Sequence, residues 1–276
     1  MLTNRRVIVT GGTGFLGRHL TFRLIEEGYS VSLFSEDIRK FSMHKEESDI
    51  VVHLAGVNRQ NSQQSLHELF DVNISGTLEV IHYCRRVGVR CIIASSSAVY
   101  RPTRELEKLS EACELGPVTD YGISKILAEK LCEMYSELSM VTITSCRIFN
   151  LYGIGQNESY IIPYLMKKKK DAEIPILKNP YSYRDYIHID DVARAFIKLC
   201  EYQHDGYLAF NIGTGNEICT HRLARMINKK FTPEIQSNKN QRDYVIADIG
   251  KITSYTDWMP KITLEQGLAE LLDQRT

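Results

Sequence analysis

No pair of cysteines in this sequence has CxxC spacing, no cluster of His, Cys and carboxylates has metal-ligand spacing, and no apolar run reaches membrane-spanning length. The seven cysteines (Cys84, Cys91, Cys113, Cys132, Cys146, Cys200 and Cys219) are an odd, scattered set among apolar neighbours, which argues for reduced thiols rather than a disulfide framework. Net charge is also missing. Lys+Arg and Asp+Glu are 34 each in 276 residues, so no overall field favours nucleic acid or an anionic membrane surface. No signal-peptide pattern precedes the first strand, and the expectation is a cytoplasmic protein without nucleic-acid or membrane partners. There is no internal repeat and no low-complexity tract. The one basic run, Lys167 to Lys170, closes an apolar segment and reads as the solvated end of a helix, where cations suit the dipole. What is left is a globular composition, 43% hydrophobic and 25% charged, able to bury one large core or two modest ones.

The most informative stretch is Val7 to Leu20. An apolar run of strand type breaks into Gly11-Gly12-Thr13-Gly14 and resumes as Phe15, Leu16, His19, Leu20, Leu24 and Ile25 at helical spacing. Glycines at 11, 14 and 17 let the backbone turn tightly, approach a pyrophosphate and pack helix against strand. The first helical turn brings free N–H groups and a positive dipole end, which suit an anion. A glycine-rich turn that binds nothing would use the same residues, but this one follows the first strand, where a dinucleotide fold begins.

Ser30 to Ser35 reads as a second strand. The end of such a strand usually carries an acid for the adenine ribose. Here Ser35 stands there, followed by Glu36, Asp37, Ile38 and Arg39; a serine leaves room for a 2′-phosphate, which Arg18 and Arg39 could pair, while Glu36 works against it. Only about a dozen residues precede the next strand, Asp49 to Ala55, so this half of the fold is abbreviated. That strand ends in Leu54-Ala55-Gly56, small enough for close approach of a cofactor. A polar loop over 57–64 leads to a helix carrying Asn73, Gly76 and Thr77. The strand from Arg90 then delivers Ser95-Ser96-Ser97 to the carboxyl end of the sheet, where open α/β sheets bind ligands; a self-satisfied serine turn is the plainer reading of those three alone. After a polar loop over 101–117 comes a long amphipathic helix from Asp120, with Tyr121 and Lys125 on one face. Another strand, Val141 to Ile148, follows. Beyond residue 152 the alternation loosens. The reading is an α/β, doubly wound parallel sheet over 1–152, with a small mixed lobe over 153–276 interleaved with it. His53 and His188, in apolar strand contexts, read as core histidines.

Together these residues resemble an extended short-chain dehydrogenase/reductase of the NAD-dependent epimerase/dehydratase family, with its Rossmann-type fold and its nucleotide-diphosphate sugar substrates. The resemblance rests on Thr10-Gly11-Gly12-Thr13-Gly14-Phe15-Leu16-Gly17, Asp49 through Gly56, Asn73-x-x-Gly76-Thr77, and the serines before Val99-Tyr100. Further on come Tyr121-x-x-x-Lys125, Arg147-x-Phe149-Asn150-x-Tyr152-Gly153, Arg184-Asp185-Tyr186, Phe210 to Gly213, Arg242 and Trp258-x-Pro260, in family order over nearly the whole chain. It implies Tyr121 as acid/base, Lys125 tuning it and holding the nicotinamide ribose, and Ser96 orienting the sugar oxygen with Ser97 beside it. It further implies Asn150 near the sugar, Arg184 and Arg242 on the substrate diphosphate, and a homodimer. A free phenol titrates near 10, and an ammonium about 4 Å away at an effective dielectric of 20 would lower it by up to about three units.

Three departures narrow the activity. Sugar dehydratases carry an Asp-Glu pair where this chain has Ser97 and Ala98. Epimerase–reductases of the fucose type carry a cysteine and a histidine where it has Ala98 and Tyr160. Many epimerases have glycine where Arg101 follows Tyr100. The expectation is therefore C4 ketoreduction, with NADPH preferred and NAD(H) open, and the C4 epimerase as the alternative. A non-catalytic dinucleotide-binding relative would have no need of the Tyr121–Lys125 pair.

Overall fold

A computed structural model describes residues 5–58, 65–139, 141–235 and 242–273. Its centre is a six-stranded parallel sheet in the order β2-β1-β3-β4-β5-β10. The strands are β1 (Arg6–Thr10), β2 (Ser30–Phe34), β3 (Ile50–His53), β4 (Arg90–Ser96), β5 (Ile143–Ile148) and, much later in the chain, β10 (Tyr207–Ile212). Both faces are covered, which is why the inner strands β1 and β3 read as apolar runs, Val7-Ile8-Val9 and Ile50-Val51-Val52. Val7, Val9, Ile50 and Val52 join one core with α1 (Phe15–Glu26) and α6 (Ile189–Glu201). On the opposite face Ile8, Val51 and Ile93 join a second core, with Val80, Ile81, Tyr83 and Cys84 of α3 (Gly76–Val87) and Cys132 of α4 (Asp120–Ser139).

The chain runs outward from β1 to β2 and then returns past β1 to β3, so the switch of direction lies at the carboxyl end of β1. Between β2 and β3 there is one short 3-10 helix, Ile38–Met43, and the sheet stops at β2. This is the abbreviated half, and the helix fills the space by packing Ile38 and Phe41 into the second core. Ahead of α3, a short α2 (Leu66–Phe70) passes through a π-helical turn, Asp71–Ser75. Of the polar loop expected over 57–64, residues 59–64 lie outside the described residues. All seven cysteines are free thiols, five of them buried.

The smaller lobe is built from β6 (Asn150–Tyr152), α5 (Ile161–Lys170), β7 (Ile176–Leu177), β8 (Ser182–Arg184), β9 (Tyr186–His188), β11 (Ile218–Cys219), α7 (Thr220–Ile227), β12 (Glu234–Ile235) and β13 (Asp243–Val245). Two helices close it, α8 (Gly250–Thr256) and α9 (Leu264–Asp273). Its strands make ladders of two or three residues, β11-β8-β13, β12-β7 and β6-β9. The lobe placed after residue 152 also supplies the main sheet: β10 pairs in parallel with β5, α6 packs against α1, and Trp258 is buried in the first core. Asp185, fully buried between β8 and β9, knits the two parts. Its carboxylate accepts from Thr214 N and Oγ1, Gly215 N and Ala247 N, at 2.6–3.2 Å. Four donors on one carboxylate offset its burial.

Candidate active site

The turn after β1 has the shape a pyrophosphate needs. Gly11 sits at φ +68, and a Cβ there would lie 2.6 Å from Ala55 N; one on Gly17 would collide with Gly11 O. Only glycine permits the turn, the strand and α1 to come this close. Gly14 caps α1 with no side-chain bond, leaving the N–H groups of the first turn, from Phe15 and Leu16 onward, without a side-chain acceptor. Thr13 and Gly14 are exposed, Leu16 is in the core, and Arg18 donates Nη1 to Thr13 O at 2.6 Å. This cradle fits the diphosphate of a dinucleotide.

At the adenine side the structure corrects two expectations. Ser35 and Glu36 are exposed just past β2, but Arg39 is already held. It meets Asp37 at 2.6 Å and Asp71 at 2.6 Å, so two carboxylates neutralise the guanidinium expected to receive a 2′-phosphate. Asp37, which also caps the 3-10 helix, is pulled down to about 2 by those Arg39 hydrogen bonds. Ile38 is a core side chain, against which Gly76 packs, so only its backbone is available to a cofactor.

Beyond β3, Leu54, Ala55 and Gly56 are braced from below. Thr10 Oγ1 accepts from Ala55 N at 3.3 Å and lies 2.7 Å from His53 Nδ1; His53 Nε2 is 3.1 Å from Thr77 Oγ1, which donates to Asn73 O at 2.8 Å. These directions assign the Nε2–H tautomer to His53. Burial lowers its pKa to about 3, so it is a neutral core histidine. His188 is buried as well. Asn73 is spent within the protein: Oδ1 accepts from Val57 N, and Nδ2 donates to Val57 O and Ser124 Oγ, all at 2.9–3.0 Å. From the π-helical turn it holds the loop after β3 to α4.

Ser96, Tyr121 and Lys125 are brought together by a close approach. A Cβ on Gly122 would collide with Ala98 O, so the first turn of α4 abuts the 3-10 turn Ser97–Val99 that follows β4. Tyr121 is thereby brought beside Ser96, whose Oγ accepts from Ala98 N at 3.1 Å. Lys125 Nζ lies 5.7 Å from the Tyr121 ring centroid, beside Gly56 and Asn73, and donates to Ala94 O at 2.8 Å. Here the expected tuning is reversed. Burial, with the Tyr160 phenol beside it, pushes Tyr121 up to about 12, and Ser96 opposes only part of the shift. Burial also pulls Lys125 down to about 8, against the attraction of Glu129.

On the substrate side, Ser97 is buried and Asn150 half-buried, its N–H donating to Asp185 O at 2.9 Å. Arg184 is tied to Asp243 at 3.0 Å and to Tyr183 O at 2.8 Å. Arg242 is exposed beside Tyr183, whose ring stacks on Tyr244 at 4.7 Å.

A sequence profile of the NAD dependent epimerase/dehydratase family matches residues 7–213. The chain belongs to that family. Its relatives in the NAD dependent epimerase/dehydratase family include a putative UDP-glucose 4-epimerase of Methanocaldococcus jannaschii, 27% identical, with 97% of each chain aligned. A dTDP-4-dehydro-6-deoxyglucose reductase of Escherichia coli is 28% identical over 96% of each. The crystal structure of UDP-glucose 4-epimerase with UDP-glucose from Thermotoga maritima superposes with a TM-score of 0.86, at 25% identity over 97% of both chains. The epimerase/dehydratase family comprises NAD-dependent enzymes of nucleotide sugars, epimerases and reductases among them. Among the described residues, no helix is long and apolar enough to cross a membrane, and no three His, Cys, Asp or Glu side chains are grouped to hold a metal ion.

Two features of this family member escaped the sequence reading. Tyr160, noted only as the place of an absent histidine, puts a second phenol beside Tyr121 and near Asn58 of the loop after β3. Glu129 and Arg147 form a buried bidentate pair under the serines, with Arg147 Nη2 2.7 Å from Glu129 Oε2. The one signal for that pair was Arg147, a charge inside a buried strand; Glu129, next to Lys130 on an amphipathic helix, gave none.

Proposed function

We propose that this protein reduces the C4 keto group of a nucleotide-diphosphate sugar of the 6-deoxy class. The observation that carries the reading is the meeting of Ser96, Tyr121 and Lys125 beside the end of β4, with Ser97 and Ala98 where a second acid/base pair would stand. Ketone reduction asks for a proton donor at the carbonyl oxygen, and the Tyr121 phenol supplies one. The glycine turn, Ala55-Gly56 and Lys125 would hold a nicotinamide cofactor, whose chemistry when bound would be hydride donation. Ser96 orients O4 and Tyr121 gives it the proton; the tyrosinate left behind is stabilised by Lys125 and takes its next proton from solvent. Ser97 and Ala98 offer no acid/base pair for dehydration. Arg242, with Arg184 behind it, is assigned to the diphosphate, and Asn150 to the sugar.

NADPH is the proposed cofactor on the strength of Ser35 and Arg18, with NADH accepted because Arg39 is already neutralised by Asp37 and Asp71. That neutralisation favours the second reading, a C4 epimerase with firmly held NAD. Incubation with NADPH and a panel of nucleotide sugars separates the two. The proposed function requires NADPH absorbance to fall only when a 4-keto-6-deoxy sugar nucleotide is present. Interconversion of two 4-hydroxy epimers without net oxidation would establish the epimerase instead.

A homodimer is also proposed, paired along α4. Ile123, Leu127, Met134 and Leu138 fall on one stripe of this helix and are 40–74% exposed. Light scattering should give twice the chain mass, and Leu127→Glu should give a monomer; a monomeric parent protein would rule the pairing out.

A further inference from the structure

The pair Glu129–Arg147 raises a question of purpose. Its side chains are 3% and 6% exposed, and a buried ion pair of this kind is commonly no more stabilising than well-packed apolar residues. Its position is more informative. Glu129 stands one helical turn beyond Lys125 on α4, and its Oε1 also accepts a hydrogen bond from Ser95, the neighbour of Ser96 on β4. Arg147, on β5, spends Nε and Nη2 on Glu129 at 2.7–3.1 Å and Nη1 on Tyr100 OH at 2.8 Å. Tyr100 OH in turn donates to Asn211 Oδ1 at 2.8 Å, at the end of β10. A single carboxylate thus joins the helix that carries Tyr121 and Lys125 to the strand that carries Ser96, and the next strand clamps it from the far side.

We infer that Glu129 is a positioning residue: bound by Ser95 and Arg147, it sets the register of α4 against β4 and provides the one carboxylate facing the Lys125 ammonium among the described residues. This rests on the acid/base and ribose roles proposed for Tyr121 and Lys125, and it extends them to a third layer. The other groups facing Lys125 do not replace the carboxylate. They are Cys132 on its own helix, a buried thiol; neutral His53 on β3; Ala94 O on β4; the Tyr121 ring; and the Asn73 amide.

The test reads Lys125 directly, so it does not depend on which sugar is the substrate. In protein carrying 13C-labelled lysine, the resonance that vanishes in Lys125→Met is followed through a pH titration. Glu129→Gln should move that titration down by about one pH unit or more. Its turnover should fall most on the alkaline side, with KM for the sugar nucleotide changed less than about twofold. Ser95→Ala keeps the ion pair and cuts only the tie to β4, so it should leave the titration in place and lower kcat about tenfold. If Glu129→Gln does not fold, Glu129→Asp carries the titration test, since a displaced carboxylate must still move it, and Ser95→Ala carries the kcat test. A merely structural pair would lower thermal stability while leaving the Lys125 titration and kcat per folded molecule unchanged in these variants, and that result overturns the inference. Failure of every sugar to turn over, with the titration shifted as stated, would count against the proposed reaction and not against Glu129.

Discussion

Replacing Lys125 by Met should make this protein more stable and less able to work. The ammonium is buried, and its pKa falls from 10.5 to about 8 because burial disfavours the charged form. A difference of about 2.5 units corresponds to about 3 kcal/mol of cost for keeping the folded lysine charged at neutral pH. Met fills nearly the same space without a charge. It also strips Ala94 O of a donor now at 2.8 Å, a loss of about 1–2 kcal/mol that offsets part of the gain. The net is a stabilisation of about 1–2 kcal/mol, or a rise in Tm of about 2–6 °C for a chain of this size. The sign with pH follows from the depressed folded value. The cost is fully present below about 8 and is relieved as pH rises towards the unfolded value of 10.5, so the gap between variant and parent should narrow over that range. Urea unfolding at pH 7 and pH 9 measures both points, and a fluorescence titration should show weaker cofactor binding by the same variant. A Lys125→Met variant that is less stable than its parent at pH 7, or whose advantage grows above pH 8, would refute the reasoning, because the bond to Ala94 O would then outweigh the burial of the charge.

Tyr121→Phe removes the phenolic proton with little change in packing, and should lower kcat by about a hundredfold or more while cofactor affinity stays within a factor of about two; near-parental turnover would remove Tyr121 from the acid/base role. Arg242→Ala should raise KM for the intact sugar nucleotide by about tenfold, the worth of one charge-assisted bond, without affecting cofactor binding. Arg184→Ala should instead lower stability as well, since it leaves half-buried Asp243 without its partner. Asp37→Asn releases Arg39 from one of its two carboxylates and should increase the preference for NADPH over NADH, measured as a ratio of Kd values; an unchanged ratio would show that Arg39 does not reach the 2′-phosphate.

The first half of the chain was legible because its signals are local. A glycine turn between an apolar run and a helical period, and a pair four residues apart on one helix, are readable without knowing what packs against them. The shortness of the link between β2 and β3 likewise announced a truncated half. The charge partners were not legible. Arg39 and Arg184 look in sequence like uncommitted cations, and only the fold brings Asp71 and Asp243 onto them. The same holds for Tyr121: its neighbour Lys125 suggested a lowered pKa, but desolvation by the surrounding chain is the largest influence on the phenol and acts the other way. In the smaller lobe, strands of two or three residues are too short to show any period, so β8, β11 and β13 left no trace in the pattern. Asp185 could be read as part of a motif, but not as the anchor of the loop after β10.

The return of β10 to the edge of the main sheet has a practical consequence for anyone recombining this enzyme with its relatives. A chimaera made with a single crossover near residue 152 would take β10 and α6 from the donor and seat them on β5 and α1 of the host, across two cores evolved separately. The sheet pairing from Tyr207↔Ile143 to Ile212↔Ile148 and the seat of Phe196 and Trp258 would all be hybrid. Exchanging substrate selectivity cleanly calls for four cuts instead, swapping the segment before α6 and the one that follows β10 while leaving the helix and strand between them, and the buried Trp258 further on, with the host.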